Sequence, residues 1–192
     1  MIGILAEDQT DCETLGTLVR RIIAEAKRPP VAIKTVGYKG CANLRTKAEP
    51  DLKRLARNGC SAVVIVHDLD RNPANNMLND ERVLRAKLDA ITVPAGVASL
   101  ICIPVEELEA WFWSDPEVVR DVGRGTGSDH REPHRIASPK EALQRLSRGP
   151  NRKHRYTTND NPRLAAKLDI GLCSARCEAF RELRSFVHRV VG

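Results

Sequence analysis

Ser61-Ala-Val-Val-Ile-Val66 runs straight into His67-Asp-Leu-Asp-Arg71, and this stretch decides the fold. A short apolar run rich in β-branched residues fits a strand buried on both faces, as in a parallel sheet. Asn58-Gly59 stops the segment before it. The run ends in two carboxylates, Asp68 and Asp70, placed where the strand leaves the sheet. Ligand sites in open α/β sheets lie outside the carboxyl ends of the strands. Residues two apart on a continuing strand share a face, so both acids can reach one ion. Acids at strand exits also cap the turn or helix that follows, and the residues alone leave both roles open.

Upstream, Ile2-Gly-Ile-Leu-Ala6 reads as a first strand that runs into Glu7, Asp8 and Asp11. Thr10 and Glu13 have capping-box spacing, and Leu15, Leu18, Val19, Ile22 and Ile23 form a helical stripe ended by Pro29-Pro30. Val31–Val36 is a second strand. Leu44, Ala48, Leu52 and Leu55 mark a second helix, in which Pro50 predicts a break or restart. Val83, Leu84, Leu88 and Ile91 mark a third helix, and Gly96–Ile103 a fourth strand. That strand delivers Glu106, Glu107 and Glu109 into the start of a helix with Trp111 and Trp113. Alternating strands and helices over residues 1–113 predict an α/β domain with a mostly parallel four-stranded sheet flanked by helices. Residues 114–192 read as a basic helical extension packed on it. A loop spans 123–137, and Ser138 with Pro139 and Glu141 predicts a capped helix. A basic loop covers 148–156, and a last helix carries Phe180, Leu183, Phe186 and Val187.

The 192 residues suffice for one domain with a substantial core. Residues 1–113 hold 15 basic and 15 acidic side chains, whereas 114–192 hold 16 and 10, so the second part carries the whole net charge of +6. A neutral part with clustered acids beside a basic part suits a protein that holds cations and attracts a polyanion; a solvated Arg-rich surface is the plainer reading. No apolar run is long enough to span a bilayer, and the N-terminus lacks the basic start of a signal peptide. Six cysteines without a C-x-x-C pair fit a reduced, cytoplasmic setting better than structural zinc.

Several of these segments carry a family resemblance. Ala6-Glu-Asp-Gln-Thr-Asp11 resembles the EGxTE-type segment of Toprim domains, and His67–Arg71 resembles their Asp-x-Asp motif. Ile103-Pro-Val-Glu-Glu-Leu-Glu-Ala-Trp111 is similar to the ELEAW signature of a family of small Toprim-like bacterial proteins, related to nucleases of the overcoming-lysogenization-defect type. Ser138–Leu143, Tyr156 and Glu178–Leu183 extend the likeness over nearly the whole chain. Asp8 stands in place of the usual glycine, and Asp11, in place of the usual second glutamate, keeps the acidic charge there. The resemblance implies a Mg²⁺-dependent nuclease, with Mn²⁺ able to substitute, that hydrolyses phosphodiester bonds of DNA or RNA. Glu7, Asp68 and Asp70 would be catalytic and hold metal, and Glu109 would be a further site residue. Asp11, in the first helical turn, fits a helix-dipole role as well as it fits metal contact. The resemblance also implies an effector role in anti-phage defence beside a separate ATPase; a homodimer stays open. A non-catalytic nucleic-acid-binding or regulatory subunit is the alternative from another class.

Nucleic-acid contacts fall to Arg152, Lys153 and Arg155 of the basic loop and to Lys140, for which an ordinary surface lysine is the plainer reading. His67 reads as facing the core or a neighbouring helix rather than as a ligand. His130 and His134, around Pro133, read as loop residues that contact phosphate or solvent rather than zinc, Cys173 and Cys177 as packing residues, and Trp111 and Trp113 as core, with base stacking by one of them the alternative. The chain has no Walker A loop, no G-x-S-x-G elbow and no kinase signature.

Overall fold

Strands β1 (Ile2–Ala6), β2 (Ile33–Gly37), β3 (Ala62–Val66) and β4 (Ala98–Cys102) pair in parallel, in the order β2-β1-β3-β4. The computed structural model describes all residues from Met1 to Gly192. Parallel neighbours need crossovers, and α1 (Gln9–Glu25), α2 (Cys41–Arg57) and α3 (Glu81–Asp89) supply them between successive strands. Both central strands are buried along their whole length, so their side chains divide between two cores with a period of two. Ile2, Ile4, Ala6, Ala62, Val64 and Val66 pack with α1, while Leu5, Val63 and Ile65 pack with α2 and α3. The chain order reverses direction at β1 and β3: α1 leads one way from β1, and α2 carries the chain back over it. In such doubly wound sheets the crevice at this switch point is where ligands bind.

The C-terminal region joins the α1 face. A 3-10 helix (Leu108–Ser114) is followed by α4 (Pro116–Val122), α5 (Pro139–Leu146), α6 (Asn161–Ala165), α7 (Ile170–Arg176) and α8 (Glu178–Val191). Trp111 meets Phe180 edge-to-face, with ring centroids 5.1 Å apart. Phe112, Leu143, Leu164, Phe180 and Phe186 belong to the same 30-residue cluster as Leu15, Leu18 and Ile22 of α1. The basic extension therefore shares one core with the sheet. No helix is long and apolar enough to cross a membrane, and all six cysteines are free thiols.

Three local expectations give way. Asp8, not Thr10, caps α1: its carboxylate accepts the Asp11 N–H at 2.8 Å, and the helix starts at Gln9. Asp8 thus serves as a helix cap, and its bond holds the backbone N–H of Asp11. Pro50 does not break α2, which is continuous over 17 residues; the proline sits on an exposed face while Leu44, Ala48, Leu52 and Leu55 are buried. Burial of that stripe outweighs one missing backbone donor. Ser138 makes no cap bond and takes a left-handed φ of 51°, its N–H aimed instead at Glu106 Oε2, 3.4 Å away.

Because the two parts share a core, Phe180→Ala should destabilise the whole chain by about 3–5 kcal/mol. Chemical denaturation should show one cooperative transition shifted to lower denaturant. Early loss of the C-terminal helices alone would contradict the shared core.

Candidate functional site

β1 and β3 are neighbours in parallel register, so their exits bring Glu7 and His67-Asp68 side by side. Pairing continues past β3: the Leu69 N–H donates to Pro104 O at 2.9 Å, and Leu69 bridges Val105. Leu69 is buried with the α2 and α3 core, which leaves its flanking residues, Asp68 and Asp70, alternating away from it. Glu7 Oε1 accepts the Asp68 backbone N–H at 3.1 Å. Asp11 enters from the first turn of α1. Glu109 enters from the 3-10 helix as a buried carboxylate. Asn161 Nδ2 donates to Glu109 Oε1 at 3.0 Å, and Tyr156 Oη donates to Asn161 Oδ1 at 2.6 Å.

Burial, with neighbouring negative charge, raises each of these carboxyls above its ordinary range. Burial, then the charge of Asp70, pushes Glu7 up to about 7. Burial, then Asp8, Glu109 and Glu7, pushes Asp11 up to about 8. Asp68 lies well above the usual carboxylate range through burial and the charges of Asp11, Glu109, Glu7 and Asp70. Burial and then Glu107 raise Asp70, against the opposing pull of Lys140. Burial raises Glu109 too, partly countered by Asn161. Glu7, Asp11, Asp68, Asp70 and Glu109 are thus linked electrostatically, each feeling or exerting the charge of another of the five. Neither the Asp68 nor the Asp70 carboxylate accepts a hydrogen bond or an ion pair from the protein; only burial and neighbouring charges act on them.

The cations around the unit are mostly engaged. Lys140 Nζ donates to Glu107 Oε1 at 2.7 Å, and its backbone N–H donates to Glu107 Oε2 at 3.0 Å. Burial works against its charge, but Glu107, Glu109 and Glu141 raise it overall, so Lys140 is a cation bound beside the acids and not an unattached surface lysine. Arg71 clasps the buried Glu106 with two bonds, Nε to Oε2 at 2.9 Å and Nη2 to Oε1. Arg152, Lys153 and Arg155 are exposed on their loop, which Tyr156 anchors near Glu109. The loop at 123–137 turns elsewhere: Asp129 binds Arg176 at 2.5 Å, and His134 lines a separate cavity with Arg85, Arg176 and Arg181 that none of the five acids reaches.

Two partners escaped the sequence reading. His67 is buried, with Arg45 Nη1 2.9 Å from its Nε2. Arginine only donates, so Nε2 accepts and Nδ1 carries the proton. That N–H faces Asp68 O at 2.8 Å and Glu7 Oε1 at 3.1 Å. Burial, with the Arg45 charge, lowers the His67 pKa, so the contact with Glu7 is a neutral imidazole's hydrogen bond and not an ion pair. Asn161, the first residue of α6, is the second.

The donor set is all oxygen, as Mg²⁺ requires, and two of its carboxylates lack any protein partner. No three His, Cys, Asp or Glu side chains are gathered tightly enough to hold a metal ion as they stand. Mg²⁺ usually keeps several waters and takes one or two carboxylates, so the residues fit it without a closed cage. A family model described as a domain of unknown function (DUF4276) matches residues 6–188. The chain belongs to that family. The DUF4276 match takes in every member of the carboxylate unit. No curated protein and no solved structure matches the chain.

Two outcomes follow from the geometry. Folded Glu7 and Asp11 keep protons up to about pH 7 and 8, whereas unfolded carboxylates release theirs near their ordinary values of 4.5 and 3.8. Between these limits the folded chain binds more protons, so stability falls as pH rises. Without divalent cations, thermal melts should show Tm declining from pH 5 to pH 8 (approximate bounds). Asn161→Ala leaves the Glu109 carboxylate and the Tyr156 hydroxyl buried without their partner, and should destabilise by about 1–3 kcal/mol in chemical denaturation.

Proposed function

We propose that this protein is a Mg²⁺-dependent nuclease of Toprim-like design that hydrolyses phosphodiester bonds of DNA or RNA. The observation that carries the reading is the pair Asp68 and Asp70: semi-buried, unpartnered carboxylates at the switch point, ringed by three more acids. Such an arrangement is costly unless a cation or protons neutralise it. Asp68 and Asp70 would hold the metal, with Glu7 beside them, and Asp11 and Glu109 would add negative charge that retains it. A bound Mg²⁺ supplies an activated water and neutralises charge on the phosphoryl oxygens. Glu7, titrating near neutrality, is suited to take or give a proton at its carboxylate. His67 orients that carboxylate through Nδ1–H, and Asn161 orients Glu109. The basic residues after 113 support attraction of a polyanion. By the family resemblance, a separate ATPase is a candidate partner and anti-phage defence a candidate setting.

Purified protein should cleave DNA or RNA with Mg²⁺ or Mn²⁺, alone or with a candidate ATPase. Asp68→Asn or Asp70→Asn should abolish cleavage and preserve nucleic-acid binding. Cleavage that survives both substitutions refutes the metal role. Binding with no cleavage by the wild type under any of these conditions supports a non-catalytic binding subunit instead.

A further inference from the structure

A cleft opens between α2 and α3 over the exit of β3, lined by Arg45, His67, Asp68, Asp70, Val83 and Lys87 among others. Its two cations differ from those elsewhere around the acids. Lys140 and Arg71 are committed to Glu107 and Glu106. Arg45 forms no ion pair; its one side-chain partner is the neutral ring of His67. The guanidinium is a fork of N–H donors suited to bidentate oxyanion recognition, and one contact leaves most of that fork unspent. The bond to a buried imidazole also holds it in place, so little side-chain freedom is lost when an anion arrives. Lys87 is exposed on the α3 wall of the same cleft and is likewise free of ion pairs. Asp80, the remaining acid of the lining, is occupied as the cap of α3, accepting the Arg82 N–H at 2.8 Å. Val83, 52% exposed, adds an apolar lip that a sugar or base can cover.

We propose that Arg45 and Lys87 form a phosphate-holding subsite that seats the nucleic-acid backbone in the cleft between α2 and α3, next to Asp68 and Asp70. The assignment rests on the nuclease reading and adds to it the path of the strand. Arg152, Lys153 and Arg155 do not line this cleft and serve long-range attraction, whereas Arg45 and Lys87 touch the backbone at the reacting end. Arg45 has a double role: it grips phosphate and, through His67, fixes the Glu7 carboxylate.

The test is equilibrium binding of a labelled oligonucleotide by fluorescence anisotropy, with Mg²⁺, in the Asp68→Asn background so that the probe stays intact. Arg45→Gln keeps a donor for His67 Nε2 while removing the charge, and Lys87→Ala removes an exposed cation from a helix that tolerates alanine. Each should weaken binding several-fold and flatten the slope of log K against log salt by about 0.9 for duplex or about 0.7 for single strands. Lys87→Arg should restore the slope. A merely structural role for Arg45 would lower Tm without changing the slope, and would overturn its part of the assignment. Unchanged affinity and slope in both variants overturn the subsite while leaving the Asp68 and Asp70 cleavage results standing. AMP binding as tight as the oligonucleotide's overturns the backbone assignment in favour of a free mononucleotide. A parent chain that neither binds nor cleaves any nucleic acid overturns both readings together.

Discussion

Parallel strands cannot be joined by tight turns, and this constraint sets everything else in the molecule. Each connection has to cross a face of the sheet, so both faces become covered and the central strands have no polar side. β1 and β3 are buried throughout, which confines polar chemistry to the points where they end. Because the order β2-β1-β3-β4 reverses at these two strands, their crossovers diverge and leave a crevice between their exits. Glu7 and Asp68 stand at that crevice because they are the first acids after the apolar runs stop.

The acids that gather there oppose the fold that gathers them. Five carboxylates are raised by burial and by neighbouring acids, and the hydrogen bonds that reach them come from His67, Asn161 and the backbone of the site. Protonation or a divalent cation would each relieve that repulsion by the same electrostatic route. The 30-residue core beneath, closed by Trp111 against Phe180, is what keeps so unfavourable a cluster assembled.

The strand-exit acids were legible because strand periodicity and strand ends are local properties. Asp68, Asp70 and Glu7 follow apolar runs that can be read residue by residue, and the parallel sheet follows from the alternation of those runs with helical stripes. The supporting partners were not legible because each joins segments distant in the chain. Arg45 reaches His67 across 22 residues, and Asn161 reaches Glu109 across 52. Nothing in the local pattern around Asn161 distinguishes a carboxylate's partner from a helix-starting residue. The caps failed for a related reason. Thr10 and Ser138 have suitable side chains at suitable spacing, but Asp8 takes the capping position at the first helix, and Ser138 sits in a left-handed conformation in which its side chain makes no cap bond.

The 3-10 helix from Leu108 to Ser114 places Glu109 among the acids and Trp111 in the core only two residues apart. With so little chain between them, the carboxylate inherits the rigidity of the aromatic anchor, and α8 sets its position as firmly as the sheet does. The protein is therefore indivisible in an engineering sense. Its sheet cannot be grafted onto another helical cap, nor its cap exchanged for a relative's, without transplanting the tryptophan's seat along with it.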